Sequence, residues 1–574
     1  MRKKLDEKTL LATVNRLKLF TLSQLCTLLD ARTPAQKDSL KDSLKQFVKR
    51  GYLLSRGDVY IPVFKKSRVM HGIIGYENPA QDFYIVCDRF GIKPGFAPKV
   101  LRKAEEVAAI PPAEVKKRKD YRSQAVFTID GEDAKDLDDA VFLEKDGKNY
   151  RLYIHIADVS FYVREKDPID KEASARGTSI YLVDQVVPML PKVLSNGMCS
   201  LNPLEDRLTL TAEVLLDAKG KIKKYDFFPG IINSKRRFTY TEVQQILDTG
   251  KPAQKGDESL IPILKEMEKL AKILREKRFR EGSLDFDIPE MKILCDKKSR
   301  PLSIAPYRIY FSNNLIEEFM LTANQAVALF LHKNKVGLYR VHEEPASDKL
   351  ENFIALANRM GFAIKEFKDS IAINAFLQKT KEHPESYLLS TMLLRSMQQA
   401  YYHSENFGHY GLGFSHYTHF TSPIRRYPDL VVHRLIKKLK KYESDSKLVD
   451  TAAFLTEACK TSSEKERQAV DMERAIKRRK SIHFLKDNLG ETFAGIVSGV
   501  TERGIYAALT YTGIEGMVLE SLLEGFEYDD ERKEFRRGKT VIRLGTLVRV
   551  RLVSMNLHRE LIDFQWIENL EHEG

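Results

Sequence analysis

The chain has few cysteines, no long apolar run and too few acids to balance its bases. Its five cysteines, Cys26, Cys87, Cys199, Cys295 and Cys459, are scattered, and no two form a CxxC pair. That excludes a disulfide framework and a thiolate zinc site, and points to a reducing compartment, the cytoplasm. No stretch approaches the ~18 uncharged apolar residues of a membrane span, so no membrane partner is expected. The N-terminal Met1–Lys8 segment has no apolar core for a secretory leader. Over 574 residues, 94 Lys and Arg face 80 Asp and Glu, a net charge of +14. An excess of that sign implies a polyanionic partner, with nucleic acid favoured over a membrane surface.

Against that basic background, one segment is densely acidic. Asp130 to Asp139 holds five aspartates and one glutamate. Ala125-Val126-Phe127 precedes it and Ala140-Val141-Phe142-Leu143 follows. Such flanks read as buried strands, which puts the acids at the mouth of a core. Crowded carboxylates repel one another, and burial adds a cost to ionising them. A hard divalent cation offsets both, and Mg²⁺ binds through a few carboxylates, retained waters and a substrate phosphate. The bland alternative is an acidic surface turn. A calcium loop is excluded because counting from Asp130 or Asp133 leaves its sixth-position Gly missing.

The pattern along the chain predicts a multidomain α+β protein. Residues 1–63 read as three helices and a hairpin. Leu10, Leu11, Val14 and Leu17 recur at helical spacing; Ser23 or Thr21 caps a second helix; Lys37 to Arg50 carries Leu40, Leu44, Phe47 and Val48 on one face. Tyr52–Leu54 and Val59–Ile61 around Gly57-Asp58 form a small wing. This resembles a winged helix-turn-helix, with a helical protein-docking domain as the alternative. Residues 64–117 show two strand-like runs, Val69 to Tyr76 and Asp82 to Cys87, then a Pro- and charge-rich linker, and read as a truncated OB-like segment. Residues 118–440 form the large central unit, with a strand from Arg151 to Asp158 and helices at Leu260–Arg280 and Ser312–His332. Residues 441–489 are charged and helical, with no sustained heptad. Residues 490–570 carry five short strands with Gly turns, the pattern of a closed β-barrel. Phe493 and Tyr506 with Arg503 and Arg549 suit single-stranded nucleic acid, where bases stack on rings and phosphates meet cations.

Three long motifs then carry a resemblance. They are Phe127 to Gly131 with Asp136 to Ala140; Arg176 to Tyr181 with Val187 to Pro191 and Leu194 to Pro203; and His419 to Leu430. From Asp120 onward the chain resembles the ribonuclease II/R family of processive 3′→5′ exoribonucleases, most similar to the ribonuclease R branch. The resemblance implies an RNB-type catalytic domain, a C-terminal S1 barrel, a cold-shock-like character for residues 64–117, and hydrolysis of single-stranded RNA to nucleoside 5′-monophosphates. It implies Mg²⁺, with Mn²⁺ as the alternative, and a monomer whose further partners are the ribosome or RNA-decay factors. Relatives carry two cold-shock barrels ahead of the catalytic domain; residues 64–117 have room for one partial barrel, which bears on duplex unwinding. The lysine-rich tail of some relatives is not seen before Gly574.

Residue by residue, the resemblance assigns Asp130, Asp136, Asp138 and Asp139 to the metal cluster, with catalysis depending most on Asp138. Asp133 falls outside the pattern and reads as a solvated turn residue. Arg425 is the candidate for the scissile phosphate, because a guanidinium fork matches phosphate oxygens and keeps its charge; Arg426 is a weaker RNA-binding candidate with an ion pair as its alternative. Tyr181 and Phe286 match the aromatic positions that hold terminal bases. Glu317 and Glu318 both lie where the family has a glutamate on the terminal nucleotide, able to accept from a ribose 2′-OH, and Glu318 fits the spacing from Phe286 slightly better. Five histidines, His403, His409, His416, His419 and His433, fit no zinc spacing and read as packing and hydrogen-bonding groups. Two other functions compete: a catalytically silent RNA-binding protein on the same fold, which loss of the aspartates would favour, and a DNA-binding regulator, which would need duplex recognition by the winged helix.

Overall fold

The computed structural model describes residues 10, 14, 20–29, 31, 33–49, 53–56, 59–62 and 78–570, save 287, 289, 384, 385 and 443–450. At the N-terminal end, α1 (Leu22–Leu28) and α2 (Pro34–Lys49) pack with a three-stranded sheet of Phe20–Thr21, Val59–Pro62 and Leu53–Arg56. The cap of α1 is Thr21, which accepts from the Gln24 N–H while Gln24 returns a bond to the Thr21 N–H. That reciprocal box satisfies two otherwise orphaned donors. Leu10, Val14, Leu25, Leu40, Leu44 and Phe47 share one small core.

The strand expected at Asp82–Cys87 is a helix, α3 (Asp82–Arg89). Its aromatic and β-branched composition suits a strand, but Phe83, Val86 and Cys87 are buried together, at helical spacing. They pack on Ile180, Leu182 and Val187 and on Met472 and Ile476. Tertiary contact overrides the local preference. The rest of residues 78–117 is likewise helical or irregular, with Pro98–Val107 the longest further helix. No strand of an OB-like barrel occurs among the described residues of this segment; Val69 to Tyr76 lies outside them.

The large central unit is built on a seven-stranded sheet. In chain order the strands are β1 (Lys119–Asp120), β2 (Phe127–Asp130), β3 (Asp139–Asp146), β4 (Asn149–Ala157), β5 (Asp206–Leu216), β6 (Ile222–Asn233) and β7 (Arg236–Thr239). The spatial order is β7-β2-β3-β4-β5-β6-β1, antiparallel except for the β7/β2 and β6/β1 pairs. Alternation in β4 predicts one buried face; both are buried, because His155 and Tyr153 pack with Tyr121 on the side opposite Leu152, Ile154 and Ile156. Helices α4 (Tyr240–Thr249), α5 (Ile261–Arg280) and α6 (Phe311–Lys333) contribute Ile246, Leu264, Leu270, Phe319 and Val327 to the core. The architecture is mixed α+β.

Beyond the sheet come α7 (Ser386–Ser396), α8 (Tyr427–Leu439) and the 34-residue α9 (Ala452–Leu485). No helix among the described residues is long and apolar enough to cross a membrane. A closed five-stranded barrel follows: β8 (Thr492–Thr501), β9 (Gly504–Leu509), β10 (Glu515–Leu519), β11 (Leu547–Asn556) and β12 (Leu561–Asn569), ordered β8-β9-β10-β12-β11. A small three-stranded sheet at Glu527–Arg543, unforeseen in the sequence pattern, is inserted between β10 and β11. Ile482 and Leu485 at the end of α9 enter the barrel core, so helix and barrel are joined by apolar burial.

Candidate active site

Asp130 ends β2 and Asp139 begins β3, so the acidic segment is the loop joining two adjacent core strands. Several elements hold it. Ser200, fully buried, accepts from the Leu137 N–H at 3.1 Å and donates to the Lys135 carbonyl at 3.0 Å. The Leu201 N–H donates to the Leu137 carbonyl at 2.9 Å. Arg237 on β7 donates to the carbonyls of Gly131 and Glu132, both at 3.0 Å. Thr241 donates to Glu132 at 2.8 Å. Asp133 is solvated, with Lys292 at 4.0 Å.

The other two motifs meet at this loop. The Ser179 N–H and Thr178 hydroxyl both donate to the Arg425 carbonyl, and the Tyr427 N–H donates to the Gly177 carbonyl. Gly177 adopts φ 69°, and a Cβ there would lie 2.7 Å from Cβ of Lys465 on α9. Only glycine meets both demands. The Ile424 N–H donates to Asp138 Oδ1 at 2.9 Å, and Arg425 Nε stands 3.7 Å from Oδ2. Tyr181, 42% exposed, donates its hydroxyl to Asp136 Oδ2 at 3.0 Å.

Burial, and repulsion from Asp139, push the Asp130 carboxyl well above the usual carboxylate range, against the pull of Arg237. Burial does the same to Asp138, against Arg425 and the Ile424 N–H. Asp139 is pushed up to about 6 by burial, with Arg425 and Arg426 opposing. Oδ2 of Asp130 and Oδ2 of Asp138 are buried without a hydrogen-bond partner. Buried acceptors left unpaired are costly. A divalent cation would satisfy them, so the residues present fit a metal. Among the described residues no three ligating side chains converge as a finished cage. That suits an ion completed by water and substrate phosphate better than one enclosed by protein.

The remaining candidates separate. Arg426 is half-buried and paired in two bonds with Asp429, whose carboxylate also accepts from the Ser422 N–H, so its guanidinium shapes the turn carrying Arg425. Glu318 is buried and takes three hydrogen bonds from Arg278, whose third nitrogen donates to Ser283 at 2.5 Å. Glu317, the adjacent residue of α6, stands 3.6 Å from Arg278 Nη2 and has its side chain 46% exposed. Phe286 packs against a satellite core of Leu284, Phe353 and Phe376, separate from the core beneath the aspartates. In the barrel, Arg503 is exposed in the β8–β9 turn; Arg549 pairs with Glu568 at 2.7 Å; Tyr506 lies over Gly499 on the outer face; Phe493 packs against the core opposite Val550. His433 bonds the Phe420 carbonyl and His419 the Tyr402 hydroxyl, each at 2.8 Å. His409, His416 and His403 bond nearby backbone or Ser415.

Three positions escaped the sequence reading. Ser200 lies inside a recognised motif, but a serine gives no sign of the bonds it makes. Arg237 precedes Phe238-Thr239 at a strand end and carries no local signature. Arg278 reads as one more charge on an amphipathic helix, and only the fold reveals its buried partner.

The RNB domain matches residues 118–442. Ribonuclease R of Aquifex aeolicus is 40% identical over 513 residues, 86% of this chain and 72% of its own length. Ribonuclease R 1 of Lactococcus lactis is 40% identical over 483 residues, but this chain spans only 59% of its length. RNase R of Mycoplasma genitalium, solved with ribose-methylated single-stranded RNA, is similar at a TM-score of 0.82 and 29% identity, over 85% of this chain and 78% of its own. The chain belongs to the RNB-domain family of ribonuclease R exoribonucleases.

Proposed function

We propose that the chain removes nucleotides from the 3′ end of single-stranded RNA, processively and by metal-dependent hydrolysis, releasing nucleoside 5′-monophosphates. The observation that carries this reading is the crowding of Asp130, Asp138 and Asp139 beside Arg425, with two carboxylate oxygens buried and unpaired. Asp130, Asp136, Asp138 and Asp139 would hold Mg²⁺, with Mn²⁺ as its alternative. A bound divalent ion supplies charge neutralisation at the phosphate and a more acidic water. Arg425, with its side chain 44% exposed, is free to reach a phosphate while Ser422 and Asp138 orient it. The Tyr181 ring and Phe286 are read as base contacts. Of the adjacent glutamates, Glu317 is read as the nucleotide contact in place of Glu318, because Glu318 is buried under three bonds from Arg278 while Glu317, 3.6 Å from the same guanidinium, keeps an exposed side chain.

The helices and sheet at the N-terminal end form a winged helix in this reading, and the C-terminal barrel is an S1 domain that gathers the strand. RNA is the partner, shared with the Mycoplasma relative by name and structure. No observation favours the catalytically silent alternative, since all four aspartates are present.

The test is incubation with a 5′-labelled RNA bearing a 3′ overhang, with Mg²⁺ or with EDTA. Stepwise shortening from the 3′ end, lost in EDTA, is the expected result. Binding without shortening in Mg²⁺ and in Mn²⁺ would establish the silent alternative.

A further inference from the structure

A cavity of about 200 Å³ lies where α7 of the catalytic unit meets the outer face of the barrel. One wall is the helix, with Tyr387, Met392 and Arg395; the other is β8, β9 and the start of β10, with Ile496, Ser498 and Glu515. It is smaller than the ~300–1,000 Å³ clefts that take drug-sized ligands. A single planar ring system is the scale it suits.

Its chemistry is mixed in a specific way. Met392 and Ile496 are apolar walls. Tyr387 is 41% exposed, so its ring is open to stacking. Glu515 accepts from the Ser498 hydroxyl at 2.5 Å, placing a hydrogen-bonding edge in the same space. Arg395 donates to the Ser498 carbonyl at 3.3 Å and is otherwise exposed, a cation at the rim. An aromatic face, a polar edge and a rim cation are what a single-stranded base with its phosphate requires.

The position is as informative as the lining. Ile496, Ser498, Ala508 and Glu515 belong to the outward-facing side of the first three barrel strands, while Val497, Ile505 and Ala507 fill the interior. The second and third strands form the face on which five-stranded barrels of this class take oligonucleotides. The buried face of α7, through Leu389 and Leu393, packs in the same satellite core as Phe286. One helix therefore touches both the cavity and the cluster carrying a candidate base contact of the cleft.

We propose that this seam cavity holds one nucleobase of the RNA strand as it passes from the barrel to the catalytic cleft. The inference rests on the exoribonuclease reading above, but it concerns binding and is tested without turnover. A base could also come from a free mononucleotide, the product of the reaction. The strand is preferred because the cavity opens on the barrel's nucleic-acid face and its rim cation suits a continuing backbone.

The experiment measures RNA affinity in EDTA, by fluorescence anisotropy, for a ladder of single-stranded lengths. Tyr387→Ala removes the ring and Met392→Trp fills the space. Both should weaken binding of long RNA roughly tenfold, the loss expected for one stacked base. Turnover in Mg²⁺ of oligonucleotides too short to reach the seam should stay as in wild type. Long RNA carrying 4-thiouridine should cross-link to the α7 peptide in wild type and not in Met392→Trp. Unchanged affinity in both variants, with circular dichroism and melting intact, would show that the seam is packing alone and overturn the proposal. Saturable binding of AMP or UMP to wild type, lost in Met392→Trp with long-RNA affinity unchanged, would overturn it in favour of a product site. A wild type that binds the ladder normally yet never hydrolyses would refute the exoribonuclease reading and leave this one standing.

Discussion

The hydroxyl of Tyr181 donates a 3.0 Å hydrogen bond to Oδ2 of Asp136, so an exposed aromatic ring is tethered directly to the acidic loop. Asp136 lies in the irregular stretch between β2 and β3, where no strand bond orients its side chain. The tether therefore fixes a carboxylate of the proposed metal cluster together with the ring proposed to meet a base.

Two substitutions separate these roles. Tyr181→Ala loses ring and hydroxyl; it should leave a longer limit product while hydrolysis persists, since a stacked base contributes about 1–3 kcal/mol. Tyr181→Phe keeps the ring; its limit product should match wild type, but half-maximal activity should need about two- to tenfold more Mg²⁺, the equivalent of one hydrogen bond. Denaturing gels of 5′-labelled RNA and a Mg²⁺ titration read the two effects. Identical limit products for Ala and wild type would mean that the ring touches no base.

Asp138 has one oxygen on the Ile424 N–H and the other buried without a hydrogen bond, 3.7 Å from Arg425 Nε. Asp138→Asn preserves size and the Ile424 bond but removes the charge. Turnover should fall by at least ~10²–10³-fold, as when a group stabilising transition-state charge is removed. RNA affinity should hold, because phosphate contacts elsewhere supply it. Near-normal turnover would refute the assignment.

The same loop makes a prediction about pH. Asp139 is pushed up to about 6, above its unfolded value, and burial also raises Asp130 and Asp138 well above the usual carboxylate range. Between the unfolded and folded values the folded protein binds more protons, so stability falls as pH rises through that window. For Asp139 alone the loss is at most about 3 kcal/mol. In EDTA, the catalytic unit should therefore melt higher at pH 5 than at pH 7. A divalent ion offsets the repulsion of ionised carboxylates, so Mg²⁺ should raise the melting temperature at pH 7 and much less at pH 5. Equal Mg²⁺ effects at both values would show that the cluster is not the binding site.

How much of this was legible in the sequence depends on the range of the interaction. The acidic loop shows because its residues are contiguous and its apolar flanks read as strands. The five barrel strands show because Gly turns and period-two runs are local signals. The Asp82–Arg89 helix does not, since Phe-Tyr-Ile-Val-Cys is a good strand by composition and becomes a helix against Ile180 and Met472. Spacing slightly favours Glu318 over Glu317, yet Glu318 is buried under three bonds from Arg278, forty residues away, while Glu317 stays exposed. Arg426 is the weaker phosphate candidate in the sequence, with an ion pair as its alternative, and its partner is Asp429, three residues on. Buried ion pairing is set by tertiary proximity, and one sequence carries no mark of it.

The last prediction concerns such a pairing. Asp82, fully buried at the start of α3, has Arg479 Nε at 2.8 Å, His483 Nε2 at 3.1 Å and Lys480 Nζ at 3.6 Å, all from α9. Arg479 also donates to the Leu557 carbonyl in the β11–β12 turn, and Lys480 to the carbonyls of Pro79 and Ser299. Four parts of the chain thus converge on one carboxylate. Burial pushes that carboxyl up, and His483, Arg479 and Lys480 outweigh burial and hold it below its usual value. Its contribution is therefore present above the unfolded pKa and lost as pH falls through the folded one. Asp82→Asn keeps the shape and leaves buried cations without their counter-charge, at a cost of about 3–5 kcal/mol. The chain's single tryptophan, Trp566, sits on β12 against Phe526, so its fluorescence reports on the barrel. The urea midpoint of that signal should drop sharply in Asp82→Asn at pH 7, and the gap to wild type should narrow toward pH 3. A midpoint unchanged at pH 7 would mean that the barrel is held to α9 by Ile482 and Leu485 alone.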